Sequence, residues 1–264
     1  MQRQLANTKE YEEIFVDREI KFTADNGTST VIPLHKEWNT LGIQLSGGLD
    51  SALLLYLSAK AIQEQNLDIK IQPITFFIPK KIKNIVVTKS IIEKVKELTK
   101  CNFINDGIVF DIPMSESGHE NNKKNQFMEL TLRDLLVNGK TDFDFNGNTK
   151  NPPEEIRKNW PNDEYRQKNR DAAVSIYTSR RSASPHYMID KYGIINLYYK
   201  YGILESLAPL TCSCDENVSV LKETQSNVPC KNCWWCLERQ WGFDSNKLKD
   251  PAPTVTWKQY KKLF

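Results

Sequence analysis

The sequence predicts an α/β protein built on a doubly wound, mostly parallel sheet. Three observations predict it. Short apolar runs alternate along the chain with helix-like stretches of 12–16 residues, the pattern of βαβ units. The run Leu41–Leu45 is closed by Ser46-Gly47-Gly48, as expected of a buried parallel strand that turns straight into a helix. The composition over 264 residues, 39% hydrophobic and 26% charged, is that of an ordinary globular chain with enough apolar material for a sizeable core.

The elements follow in order. Ile14–Phe22 and Thr28–Leu34 read as a strand pair, with Asn26-Gly27 as the turn signal between them. They make residues 1–40 an N-terminal hairpin extension. The main domain, residues 41–210, opens with the strand Leu41–Leu45. A helix over Asp50–Gln65 comes next; its segment Ala52–Leu57 is apolar all round, which requires burial on more than one side. Ile69–Ile78 is a strand stopped by Pro79. Ile85–Leu98 is an amphipathic helix with Val87, Ile91, Val95 and Leu98 on one face. Gly107–Ile112 is a third strand, Lys124–Val137 a third helix ended by Asn138-Gly139, and Asp142–Asn146 a short fourth strand. Residues 147–188 read as loops around one helix near Tyr165–Thr178. Asp190–Tyr201 is a helix with Gly202 as its stop. From residue 211 to 264 the composition turns to Cys, Trp and Pro, which suggests a small metal-stapled appendage. In such a fold ligands sit beyond the carboxyl ends of the strands.

Composition also excludes. Lys+Arg is 36 and Asp+Glu 33, so the net charge of +3 gives little support to nucleic-acid binding. The longest apolar run, Ala52–Leu57, is far short of the ~18 residues of a membrane span. Met1–Asn7 carries no apolar leader-like run, so a cytoplasmic, reducing location is expected. There, clustered thiols are metal ligands or catalytic groups more often than disulfides. Of the six cysteines, five lie between Cys212 and Cys236.

Two motifs carry chemistry. The first is Ser46-Gly47-Gly48-Leu49-Asp50-Ser51, at a strand-to-helix turn. The first amides of a helix form a ready anion site, and paired glycines let a phosphate approach the backbone. Ser46 and Ser51 add hydroxyls; Asp50 could cap the helix or hold a phosphate-bound Mg²⁺. The stretch is neither a Walker A loop nor a dinucleotide fingerprint. The second is Cys230-x2-Cys233-x2-Cys236, with a fourth thiolate from Cys214 or Cys212. Four thiolates suit a tetrahedral structural Zn²⁺, and iron–sulfur clusters use similar spacings.

The first motif resembles the Ser-Gly-Gly-x-Asp-Ser signature of the N-type ATP pyrophosphatases, the PP-loop superfamily. The resemblance implies an adenine-nucleotide alpha-hydrolase-like sheet and cleavage of ATP between its α- and β-phosphates. On that pattern Ser46, Gly47, Gly48, Asp50 and Ser51, with Leu49 among them, hold the departing pyrophosphate. Lys191, in Pro185-His-Tyr-Met-Ile-Asp-Lys191, would neutralise the phosphates, and Gly147, Asn148 and Thr149 would face the substrate. The C-terminal order of motifs is similar to that of the 7-cyano-7-deazaguanine synthases: Thr211-Cys-Ser-Cys214, Cys230-x2-Cys233-x2-Cys236, Arg239 and Gly242-Phe243. This implies Zn²⁺ on Cys214, Cys230, Cys233 and Cys236. It also implies a reaction of 7-carboxy-7-deazaguanine, ammonia and ATP that yields the nitrile. The loop between the first two ligands is longer than that family's, and Pro113–Val137 lacks its substrate segment. Expected partners are a purine-like small molecule and ammonia, with a homodimer as a candidate assembly. The rival readings are a tRNA-modifying PP-loop enzyme, such as a thiolase or a lysidine synthetase-like protein, and a nucleotide-binding module without catalysis.

Other residues read as structural. Ser179-Arg-Arg-Ser182 suits a solvated face, and Trp234-Trp235 suits packing against the knuckle before base stacking. Cys101 stands alone, and His35, His119 and His186 show no ligand spacing.

Overall fold

β1 (Arg18–Thr23) and β2 (Ser29–Leu34) pair antiparallel, with Phe22 opposite Thr30 and Ile20 opposite Ile32. Gly27, at φ +81°, closes the turn. The structure, a computed structural model, describes residues 16–77, 83–112, 120–161, 163, 170, 175–179, 181–214 and 230–251. Ile14, Ile78, Pro79, Pro113, His119 and Arg180, which entered the sequence reading, lie outside these, as do residues 215–229 and 252–264.

The main sheet has six strands in the order β5-β4-β3-β6-β8-β7. β3 (Thr40–Gln44) lies parallel between β4 (Lys70–Phe77) and β6 (Phe143–Phe145), and β5 (Ile108–Asp111) extends the sheet beyond β4. β8 (Ser182–Ala183) is parallel to β6, and β7 (Tyr177–Ser179) closes the edge antiparallel. The sheet is thus mostly parallel, as expected. From β3 the chain steps outward to β4 and β5 and then crosses to β6 on the other flank. The switch point, where the connections part and leave a crevice, falls between the carboxyl ends of β3 and β6.

α1 (Leu49–Glu64) is buried without a break from Ser51 to Ala59. It packs on β3, on α2 (Lys83–Thr99) and on α5 (Lys191–Lys200), and β2 lies against it as well, which accounts for its apolar circumference. α2 buries Val87, Ile91, Ile92 and Val95, but Leu98 is 39% exposed. The stripe continues at i+4, to the buried Thr99, rather than at i+3. α3 (Glu120–Val137) begins four residues before the expected Lys124. α4 (Glu154–Arg157) is one turn. The helix expected near Tyr165–Thr178 is corrected at its end, where Tyr177–Ser179 is a strand because the Ser184 amide donates to the Ile176 carbonyl and pairs the segment with β8. Residues 164–169 and 171–174 lie outside the description.

α5 is capped by Asp190, whose carboxylate accepts from the Gly193 amide, and stops at Gly202, φ +66°. α6 (Leu204–Leu207) and a 3₁₀ turn (Ala208–Leu210) follow. The Cys- and Trp-rich segment holds a helix the sequence reading missed, α7 (Trp234–Ser245), which packs on α5. The contact is close: a Cβ on Gly242 would stand 2.7 Å from Cγ of Lys191. Phe22, Ile32 and Leu34 of the hairpin, the strands and helices of the sheet, and Cys212, Cys214, Cys236 and Phe243 all share one hydrophobic core. Among the described residues no helix is long and apolar enough to cross a membrane.

Candidate active site

Ser46, Gly47 and Gly48 leave the carboxyl end of β3 and enter α1, with Gly47 at φ +81°. Gly48 is the N-cap, and no side chain caps the helix. The loop is wired by its own hydroxyls. Ser51 Oγ donates to the Gly48 carbonyl (3.2 Å) and accepts from the Ser46 amide (3.2 Å). The Ser51 proton is thereby used, so the 3.1 Å contact between the two hydroxyls runs from Ser46 to Ser51. The Leu49 amide reaches Ser213 Oγ at 3.5 Å. Among the described residues the amides of Asp50 and Ser51 have no acceptor. That is the state in which a helix N-terminus is fit for an anion.

Gly147 stands over this mouth from the carboxyl end of β6. A Cβ there would lie 3.1 Å from the Ser51 nitrogen, so glycine keeps the mouth open. Asn148 is half-buried, its amide oxygen bonded by Arg170 (2.9 Å), and Thr149 is buried. The stretch expected to face a substrate therefore sits across the switch point from the loop. Both line a cavity of about 410 Å³ with Lys124, Arg170, Lys191, Trp235 and Glu238.

Lys191 opens α5 and is 2% exposed. Its ammonium bonds both carboxylate oxygens of Asp50 and lies 3.6 Å from Glu238 Oε2. This corrects one reading of Asp50: its carboxylate does not cap α1, because the ammonium draws it across the site. A cation at a helix N-terminus opposes the helix dipole, and two carboxylates compensate for that. Two buried side chains hold the first carbonyls of α1. Tyr198 O–H donates to the Leu49 carbonyl (2.8 Å), and His186 Nε2 to the Asp50 carbonyl (3.1 Å). With Nε2 protonated, His186 Nδ1 accepts from the Thr30 hydroxyl (2.7 Å), so β2 reaches the site through a neutral imidazole.

Burial pushes the His186 imidazole down to about 4 and the Asp144 carboxyl on β6 up to about 6. The neutral imidazole contributes stability above the ordinary value of 6.5 and loses it as pH falls towards 4. The neutral carboxyl contributes below 3.8 and loses it as pH rises towards 6. The two slopes oppose each other, so the wild-type profile should be flat across this range. Asp144→Asn should expose the histidine slope as a loss of ~3 kcal/mol in urea unfolding between pH 6.5 and 4. Identical profiles for the two proteins would refute this.

The sulfurs of Cys214, Cys230, Cys233 and Cys236 all lie within 4.8 Å of one another, the arrangement of a metal-binding cluster. Cys214, not Cys212, is the fourth member. Cys230 Sγ accepts from the amides of Asn232 (3.5 Å) and Cys233 (3.3 Å), and Cys214 Sγ accepts from the Cys230 amide (3.4 Å). Such donors favour thiolates. Cys214 and its neighbours push the Cys233 thiol up to about 12 and Cys236 higher still, the crowding a bound cation relieves. Cys212 instead donates its amide to the Gly47 carbonyl (2.8 Å), tying the cluster segment to the phosphate loop. Arg239 holds the same segment, with two bonds to Thr211 and a bidentate pair to Asp250. Cys101 lies outside the cluster, its thiol pushed up to about 11 by burial.

The two tryptophans part company. Trp234 is 1% exposed, edge-on to Trp160, whereas Trp235 is 37% exposed at the cavity wall. Arg181 is exposed between β7 and β8. Sequence reasoning missed Glu238, Ser213, Arg170 and Lys124. None stands within a motif that names a role, and only the Ser213 neighbourhood, inside Thr211-Cys-Ser-Cys214, carried any signal.

No protein-family model and no curated protein sequence matches the chain. Among solved structures it is similar to the U34-tRNA thiolase NcsA from Methanococcus maripaludis with its [4Fe-4S] cluster, at 12% identity and a TM-score of 0.41, over 79% of this chain and 72% of that one. It is also similar to NAD+ synthetase from Burkholderia pseudomallei, at 9% identity and a TM-score of 0.36, over 79% and 82%. At these scores neither likeness bears on the site, which stands on its own geometry.

Proposed function

We propose that the chain is an ATP-splitting ligase that activates a carboxylate as its adenylate and aminates it. The acceptor that best suits the motif order is 7-carboxy-7-deazaguanine, with 7-cyano-7-deazaguanine as product. One observation carries the reading: the open helix mouth of α1, flanked by Ser46 and Ser51, faces a solvent-open cavity at the switch point with Lys191 buried beside it. Charge builds on the leaving pyrophosphate as the α–β bond breaks, so donors fixed at that point act mainly in the transition state.

The steps balance. A carboxylate oxygen attacks the α-phosphorus and pyrophosphate leaves. Ammonia then attacks the acyl carbon, and AMP leaves with that oxygen, giving the amide. A second ATP takes up the amide oxygen in the same way; loss of the nitrogen protons and of AMP gives the nitrile. The chain's own part is to hold pyrophosphate on the Asp50 and Ser51 amides, with the Ser46 and Ser51 hydroxyls fixing the loop that presents them. Gly147–Thr149 orient the acceptor opposite. Of the carboxylates at the cavity, Asp50 is the one with open surface and would hold Mg²⁺, which neutralises phosphate charge when bound.

Zn²⁺ is the metal we assign to the cysteines. One tetrahedral ion with metal–sulfur bonds of ~2.3 Å sets its ligand sulfurs ~3.8 Å apart. Cys230 and Cys236 lie 3.9 Å apart, which fits one shared ion. Cysteines on separate irons of a cluster stand further apart.

The test is incubation of the purified chain with 7-carboxy-7-deazaguanine, ATP, Mg²⁺ and ammonium. AMP, pyrophosphate and the nitrile are expected. AMP release only with tRNA would make it a tRNA-modifying enzyme, and ATP bound without cleavage would make it a binding module.

A further inference from the structure

The Cys233–Cys236 turn does more than staple the fold. We propose that Trp235, set between two cysteines of the cluster, is the wall on which a purine-type ring stacks inside the cavity. This rests on the reading above for the identity of the site and goes beyond it in naming the residue that selects the ligand.

The local geometry forces the choice. Trp234 and Trp235 open α7, and successive helix positions point ~100° apart. Trp234 takes the inward direction against Trp160, so Trp235 is turned to the cavity. Among the described residues Trp235 makes no hydrogen bond and no ring contact, and its indole is 37% exposed. Among the described residues Trp235 is one of eight exposed large apolar side chains, and it lines a concave site. Phe76 and Met128 line the same cavity and add apolar, polarisable surface for a ring. Asn148 supplies the edge. Its amide oxygen is taken by Arg170, which leaves the amide N–H groups to donate to ring nitrogens or a ring carbonyl. A planar heteroaromatic with acceptors along one edge matches this set. Both AMP and a 7-deazaguanine answer that description.

Calorimetry without turnover separates them. AMP, 7-carboxy-7-deazaguanine and inorganic pyrophosphate are titrated in turn into the metal-loaded full chain. Trp235→Ala should weaken one of the two ring ligands by about 5- to 150-fold, the range of a lost base–aromatic stack, and leave pyrophosphate unchanged. Whichever ring weakens identifies the source. Trp235→Phe should keep most of the affinity and Trp235→Leu little, a comparison that stands if the alanine variant does not fold. The proposal is overturned if the wild type binds neither ring. It is also overturned if both rings bind the alanine variant as before, or if pyrophosphate weakens equally. Ring binding without any AMP release from ATP would remove the ligase reading and leave the stacking wall. AMP release with ring affinities untouched by Trp235→Ala would do the reverse.

Discussion

Cys233→Ser should release the metal, lower the melting temperature by ten degrees or more, and weaken ATP binding at a loop that Cys233 does not touch. The first two effects follow from what the cluster holds together. Three of its sulfurs come from the turn that enters α7 and the fourth from Cys214, across residues 215–229. Structural zinc contributes ~10–16 kcal/mol in small peptides, and a chain of this length loses roughly 2–4 °C per kcal/mol. Half of that contribution already reaches the threshold. The third effect follows from Cys212, whose amide is bonded to the Gly47 carbonyl two residues from the ligand Cys214. With the metal gone, that segment loses the anchor at Cys214 and is left to Arg239 and its hydrogen bonds to the loop, so the turn that presents the Asp50 and Ser51 amides is less firmly braced. Metal analysis, thermal melting and ATP titration on the same preparation check all three. Full metal occupancy with unchanged melting would reject Cys233 as a ligand. Metal loss with intact ATP affinity would sever the cluster from the loop.

What could be read beforehand divides along physical lines. β3 and β4 are largely apolar runs buried on both faces, β5 is a short apolar run at the sheet edge closed by Pro113, and α1, α2 and α5 have either an apolar circumference or an apolar stripe, so local pattern specified them. β7 and β8 escaped because three and two residues of Ser, Thr, Tyr and Ala have no period to detect; they are strands only because β6 offers an edge. α7 escaped because its first turn is also the metal turn, with Cys233 as an N-cap that makes no capping bond. At the site, the Ser46–Ser51 loop and the Gly147–Thr149 stretch were visible as short motifs. The contacts that give them meaning were not: Asp50 with Lys191, Thr30 with His186 and Leu49 with Tyr198 each join residues more than 140 positions apart. Trp235 was read with Trp234 as packing, since adjacency in sequence hides the turn of the helix that separates them.

Lys191→Met should reduce AMP formation by ~10²–10³-fold, the cost of losing one fixed donor to developing negative charge. It should also cost stability, because the lysine is the cation between Asp50 and Glu238. Removing one partner of a buried pair costs ~3–5 kcal/mol, and the lower end applies here since Asp50 is about a quarter open to solvent. The two losses have different causes and can be separated. With methionine at 191, Glu238 faces Asp50 with no charge between them, and the repulsion acts on the fold. Adding Glu238→Gln removes the like charge and should restore much of the stability to urea. It cannot restore a donor for pyrophosphate, so AMP formation should stay low in the double variant. Recovery of both together would mean that Lys191 serves the fold alone, and that the loop's own amides carry the leaving group. Asp50→Asn offers the complementary case. Lys191 keeps Glu238 as its counter-charge, so the fold should survive, while the open carboxylate expected to hold Mg²⁺ is lost. AMP formation that no longer responds to added Mg²⁺ is the expected outcome. A wild-type Mg²⁺ dependence in that variant would place the ion elsewhere along the cavity wall.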